Sequence, residues 1–254
     1  MVNTAPDTGG TPNPLTNQHA RLALAYATDQ QALANTIGAG VLLPKSPIPS
    51  NSKWGMPDDQ TGYPGFDLDK AKEQVGLYEQ DTGASSLSIE LSAASDADTV
   101  AAAQTLQAQW SEAGIKTTIA TKDASSFISD VVFGKYQVGL FSMYGGGDPD
   151  YNYFFWSAGN INPYGQVSIN FTRFTTPEME QALTAGRESS DFDTRKAAYD
   201  SIVKQINAAA VNIWTVYTPN SLIAEKNVHG LAVPSEVPFT VAPAVWVADL
   251  WSSH

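Results

Sequence analysis

From Ser86 onward the chain alternates between two hydrophobic rhythms. The stretch "SLSIEL" (86–91) is apolar at every second position, the period of a half-buried strand. "DADTVAAAQTLQAQWSEAG" (96–114) then changes to helical spacing, with Ala103, Leu106, Trp110 and Ala113 on one face and Gly114 closing it. "IKTTIAT" (115–121) reads as a strand, "DASSFISDVVFG" (123–134) as a helix capped by Asp123 or Ser125, and "YQVGLFSM" (136–143) as another strand. Strand, helix, strand, helix, strand at this spacing predicts βαβ units with right-handed crossovers and a parallel sheet.

The flanking patterns are helical. Leu22, Ala25, Tyr26, Leu33 and Ile37 recur on one face of a helix that should begin near Thr16–Asn17 and end at Gly38 and Gly40. Asp67 caps a shorter helix through about Leu77. Downstream, Thr176 and Pro177 open a helix over 175–189, and "DFDTRKAAYDSIVKQINAA" (191–209) forms the next. The apolar runs 211–218 and 221–225 read as buried strands around Pro219-Asn220, whereas 237–251 alternates less cleanly. Residues 44–66, rich in proline and glycine, form a long irregular crossing that is functional or packed over something. Residues 1–15, rich in Thr, Pro, Gly and Asn, read as a disordered leader or linker.

Composition narrows the function classes. The 254 residues are 43% hydrophobic and 10% aromatic, enough for a sizeable core. A formal charge of -12 and no basic cluster argue against nucleic acid as a partner. No cysteine is present, which removes thiol catalysis, thiolate metal sites and disulfides. The first residues carry no basic segment followed by an apolar one, so no signal peptide is read there, and no apolar run is long enough for a spanning helix.

Chemistry concentrates in "LFSMYGGGDPDYNYFFWSAGN" (140–160). The three histidines, His19, His229 and His254, share no metal-site spacing, so no metal or cofactor is expected, and no serine-nucleophile motif occurs. Asp148 and Asp150 could serve a hydrolase as a carboxylate pair, or Asp-Pro-Asp could make a turn and cap a short helix near Tyr151. Gly145, Gly146 and Gly147 come after a strand as a phosphate loop would, but without the lysine that such loops carry. A recognition loop is the third reading: glycines at a strand's carboxyl end let a ligand approach bare amides, and Tyr144, Tyr151, Tyr153, Phe154, Phe155 and Trp156 supply amphipathic contact. Phe154 and Phe155 are expected to bury against helices instead.

Several blocks in order then resemble a known family. "ARLALAYATDQQAL", "FDLDKAKEQV", "AAAQTLQAQWSEAGIKTTIAT", "DASSFISDVVFGKYQVGLFSMYGGGDPDYNYFF" and "INFTRFTTPEMEQAL" are similar to the second half of extracellular solute-binding proteins of peptide-type ABC importers, solute-binding protein family 5. The resemblance runs from about Pro14 to Pro234. It implies an α/β, βαβ-built lobe of a two-lobed periplasmic-binding-protein-like clamshell, with the N-terminal lobe missing, 16–236 as the second lobe and 237–254 returning toward the first. It further implies a non-enzymatic binder of peptides or, alternatively, of oligosaccharides, served by ABC permease subunits outside the cell, with a lipid anchor upstream of these residues. Ligand would sit against Tyr144, Gly145, Gly146 and Gly147, with Asp148 bracing the loop and Tyr151 or Trp156 as walls. The resemblance breaks at one residue. Dipeptide-binding members carry, three positions before D-P-D, an aspartate that grips the ligand's α-amino group; here that position is Gly145. A protein-interaction module remains the reading from another class.

Overall fold

The computed structural model describes residues 1–10, 12–37, 41–143, 147–217, 224–230 and 250–253. Its centre is a three-stranded parallel sheet in the order β2-β1-β3, with β1 (Ser88–Ala94) between β2 (Lys116–Lys122) and β3 (Val138–Leu140). The register pairs Leu91 with Ile119 on one side and with Val138 on the other. Helices α4 (Ala97–Glu112) and α5 (Ala124–Phe133) make the two crossovers that the alternating rhythm predicts. Asp96 and Asp123 cap them, accepting from Thr99 N and from Ser125 N and Ser126 N. Gly134, at φ 78°, ends α5 in the left-handed region, where the Arg173 guanidinium leaves no room for a Cβ.

The predicted helix from Thr16–Asn17 to Ile37 is two helices, α1 (Gln18–Tyr26) and α2 (Gln30–Ile37). Asn17 caps the first, as expected. No glycine or proline breaks the segment; a tertiary contact does. Thr28 is buried, donates to Leu24 O and accepts from Trp110 Nε1 at 3.0 Å, and Asp29 then caps α2 through Ala32 N. Trp110, 1% exposed, thereby ties the bend to α4 within a core that includes Leu24, Leu33, Leu91 and Leu106. Helix α3 (Leu68–Thr82), capped by Asp67, packs against α1 and runs beyond the expected Leu77.

A second core joins α7 (Pro177–Glu188) to α8 (Phe192–Ala209) through Met179, Leu183, Tyr199, Ile202 and Ile206. The crossing 44–66 packs over α8, burying Ile48 and Trp54, and Asn207 Nδ2 donates to the carbonyls of Lys45 and Thr61. Gly186 lets the two helices close up, since a Cβ there would lie 2.8 Å from Tyr199 Cζ. Arg21 links the cores by donating to the carbonyls of Ala209, Leu15 and Thr16, and its burial lowers its pKa to about 10.

Two expectations are corrected by this architecture. Residues 1–10 and 12–15 are ordered where a disordered leader or linker was expected: Val2 and Leu15 are fully buried, Val2 bridges Val138 antiparallel, and the Asn3 side chain donates to Gly134 O and Tyr136 O. Their polar composition hides this because asparagine amides, not apolar side chains, make the attachments. Residues 211–217 form no strand; the segment makes a single bridge, Leu42 to Tyr217, while Val2 N donates to Val211 O and Trp214 N to Tyr63 Oη. Buried backbone groups need partners, and here scattered ones replace a ladder. Most of 221–225 and of 237–251 lies outside the described residues. The described end, β5 (Trp251–Ser252), pairs antiparallel with β4 (Val228–His229).

Candidate functional site

The segment leaving β3 passes Phe141, Ser142 and Met143 and reaches Gly147, which is exposed; a Cβ built there would meet nothing within 4 Å. Tyr144, Gly145 and Gly146 lie outside the described residues. The chain after Gly147 is firmly held. Asp148 caps a 3-10 turn (Pro149–Asn152) by accepting from Asp150 N at 2.9 Å, and α6 (Tyr153–Trp156) continues from it. Pro149 is buried and fixes the first turn position.

The two aspartates go to different arginines. Arg195, on the first turns of α8, donates Nη1 to Asp148 Oδ2 at 2.8 Å and Nη2 to Asp148 Oδ1 at 2.7 Å, a two-bond fork. Its Nε donates to Gly186 O near the end of α7, and its guanidinium lies 4.9 Å from the Trp54 ring. Asp150 meets Arg187 Nε at 3.3 Å and accepts from Tyr199 Oη, while the Arg187 guanidinium lies 4.0 Å from the Tyr153 ring. Asp148 and Asp150 thus fasten the loop to α7 and α8. This is the turn-and-cap reading, and among the described residues neither carboxylate is hydrogen-bonded to a histidine, serine or threonine side chain.

Burial pushes the Asp148 carboxyl up, but the Arg195 hydrogen bonds, the Asp150 amide and the charges of Arg195 and Lys53 together hold it below its ordinary 3.8. Asp148 therefore contributes stability that is fully present above 3.8 and is lost as pH falls through the lower folded value. The Asp148 side chain is 46% exposed, so solvent keeps the contribution small. Amide exchange at Asp150 and Tyr151 should accelerate in that acid window before the sheet amides respond. Simultaneous loss would contradict a locally braced loop.

The expected aromatic walls separate. Tyr151 is 48% exposed, whereas Trp156 is buried in the α7–α8 core. Phe155 packs on Phe171 at 5.5 Å, as expected of a core residue, but Phe154 is 57% exposed and only edges Tyr153, so its expected burial is corrected. A small apolar cavity of about 20 Å³ lies under the end of β3, lined by Met143, Phe155, Trp156 and Met179 among others; it has room for about one water. Among the described residues no group of three His, Asp or Glu is placed to hold a metal. His19 meets Gln74, and His229 stacks on Trp251.

Sequence reasoning missed Arg195, Arg187 and Trp54. One signal was available: a basic residue in a helix's first turns opposes the helix dipole, so Arg195 in "DFDTRK" asks for a compensating anion nearby.

Residues 1–164 match the family model described as bacterial extracellular solute-binding proteins, family 5 Middle. A dipeptide-binding protein of Pseudomonas aeruginosa is 27% identical over 236 residues; the match covers 88% of this chain and 42% of the relative, so the chain spans about two fifths of that relative's length. Among solved structures, HbpA2 from Haemophilus parasuis superposes with a TM-score of 0.74 at 23% identity, covering 90% of this chain and 44% of that one. A crystal structure titled as a peptide ABC transporter's peptide-binding protein superposes at 0.66 and 19% identity, covering 85% of this chain and 95% of that one. The fold is the periplasmic-binding-protein fold.

Proposed function

The chain belongs to the bacterial extracellular solute-binding proteins of family 5, and we propose that it forms one lobe of a clamshell that captures a small solute outside the cell for an ABC importer. The observation that carries this reading is the loop after β3. Gly147 follows the carboxyl end of β3 along the chain and a Cβ there would meet nothing, while Asp148 and Arg195 clamp the residues after it to α8. Open α/β sheets bind ligands at that end, and a preorganised loop lowers the ordering cost of binding. Peptide is the solute class favoured, from the dipeptide-binding relative. The ligand-facing set is Tyr144, Gly145, Gly146, Gly147 and Tyr151, with Asp148 as brace; the permease subunits and a lipid-anchored surface location belong to the same reading.

A clamshell site needs both walls to desolvate its ligand, so this chain alone should bind its solute far more weakly than a protein carrying both lobes. Calorimetry compares the two, and submicromolar binding by this chain alone would show a complete site here. Catalysis is not part of the proposal. Asp148 and Asp150 are occupied by Arg195 and Arg187, and Asp148→Asn should leave no hydrolytic turnover to lose.

Gly145 sets the ligand's end group. With no carboxylate at that position, N-acetylation of a peptide should cost less than tenfold in affinity for the two-lobed protein, about 1.4 kcal/mol. Gly145→Asp should strengthen free-amine peptides by about 1–3 kcal/mol. A penalty above tenfold for acetylation in the parent protein would mean that another carboxylate already holds the amine.

A further inference from the structure

Three features of Arg173 are individually unfavourable. Its backbone stands at φ 53°, and it is one of two non-glycine residues in the left-handed region among the described residues. It is buried, and burial lowers the pKa of its guanidinium. Its Nε has no partner among the described residues, and its terminal nitrogens meet carbonyls, Nη1 donating to Phe171 O and Nη2 to Val132 O, each at 3.0 Å. A charge so placed on a strained backbone persists only where its surroundings fix it, and such strain gathers where position matters.

What Arg173 holds is Phe171. Arg173 N donates to Asn170 O, and this turn folds the side chain back onto the residue two positions earlier. The Phe171 carbonyl accepts a second hydrogen bond from Tyr136 Oη at 2.6 Å. The Phe171 ring stands 5.7 Å from the Phe141 ring and 5.5 Å from the Phe155 ring. Phe141 directly follows β3, and Phe155 lies in α6, so Phe171 touches both ends of the segment that carries Gly147 and Asp148. This tie is separate from the fork between Asp148 and Arg195. Aromatic pairs at this range are directional, so a shifted Phe171 displaces both neighbours.

We propose that Arg173 is a positioning residue for the loop after β3: through the Phe171 carbonyl it sets the Phe171 ring between Phe141 and Phe155, and so fixes how far apart the loop's two ends stand. The inference rests on the solute-binding reading above and deepens it, because the spacing of those ends shapes the loop that a captured solute meets.

Amide hydrogen exchange in the whole chain is the test. Glycine takes a left-handed backbone without strain, so Arg173→Gly removes the guanidinium and keeps the turn. The Tyr151 and Ser157 amides, which donate to Asp148 O and Tyr153 O, should then exchange about tenfold faster, the scale of one lost hydrogen bond to a charged group, while β1 keeps its protection. Tyr136→Phe, which removes the other donor to the same carbonyl and keeps the ring, should accelerate the same two amides by a smaller factor. Phe171→Leu supplies the discriminating background. It keeps the carbonyl and its donors but loses the ring contacts, so adding Arg173→Gly to it should make Tyr151 and Ser157 no faster. An equal further acceleration in that background, or acceleration confined to Gly134 and Lys135 at the end of α5, would make Arg173 a helix cap only and overturn the proposal. The two readings fail separately. If the loop amides respond but the protein carrying both lobes, purified from its own cells, shows no bound solute in native mass spectrometry, the positioning stands and the solute-binding reading falls. If it carries solute and the amides do not respond, the positioning falls alone.

Discussion

Replacing Trp110 with alanine should cost about 3–5 kcal/mol, as expected for truncating a fully buried large aromatic, plus about 1 kcal/mol for its hydrogen bond. Trp110 is 1% exposed, and its indole donates to the Thr28 hydroxyl, the contact that fixes the bend between α1 and α2. A domain of this kind is stable by only about 5–15 kcal/mol, so the variant should lie near the edge of folding. Trp110→Phe separates the terms. It keeps most of the buried area and loses the indole donor, and should cost about 1–2 kcal/mol. Urea titrations monitored by far-ultraviolet circular dichroism give both values. If Trp110→Ala costs under about 1 kcal/mol, the packing of α4 against the α1–α2 bend is wrong.

Arg195→Ala should be the second largest loss, about 2–3 kcal/mol, and should loosen the loop after β3 specifically. Its partner Asp148 is 46% exposed, so the ion pair itself is worth little more than a surface bridge. The larger part comes from the Gly186 carbonyl left without its donor and from the lost contact with the Trp54 ring. Asp148→Asn keeps one neutral acceptor and should cost about 1 kcal/mol or less. Arg195→Lys should not restore the parent, because an ammonium cannot bridge both carboxylate oxygens and also reach Gly186 O. The discriminating readout is amide exchange: Asp150 N and Tyr151 N, bonded to Asp148, should lose protection in Arg195→Ala while β1 keeps its own. Uniform loss across the sheet would mean that Arg195 supports the whole core and not the loop.

How far the sequence could be read depends on where each element's cause lies. β1, β2 and α4 were legible because their period changes at Asp96 and Gly114, and the caps Asp67, Asp123 and Thr176 are local in sequence and in space. The break at Thr28 was not legible, since its cause is Trp110, 82 residues away. The ordered start was hidden by its polarity, because Asn3 and Asn13 attach it through amides to carbonyls. The run 211–217 has strand composition, but its backbone goes to Val2, Tyr63 and Leu42 one partner at a time. At the site, the sequence marked the loop and the bracing role of Asp148, but it did not mark the arginines, whose partners sit 47 and 37 residues away. It also placed Trp156 in the wall, whereas helical spacing from Asn152 turns that side chain into the α7–α8 core.

A chain of this build should hold a small solute at the loop after β3 and leave it chemically unchanged. Native mass spectrometry of the protein carrying both lobes, purified from its own cells, examines this without an assumed ligand, with Arg195→Ala measured beside it. One noncovalently bound small molecule per protein is expected, released intact on activation, with clearly lower occupancy in Arg195→Ala. A protein that carries no solute and converts a glycoside, ester or peptide substrate, with turnover abolished by Asp148→Asn, would be an enzyme and not a binding lobe.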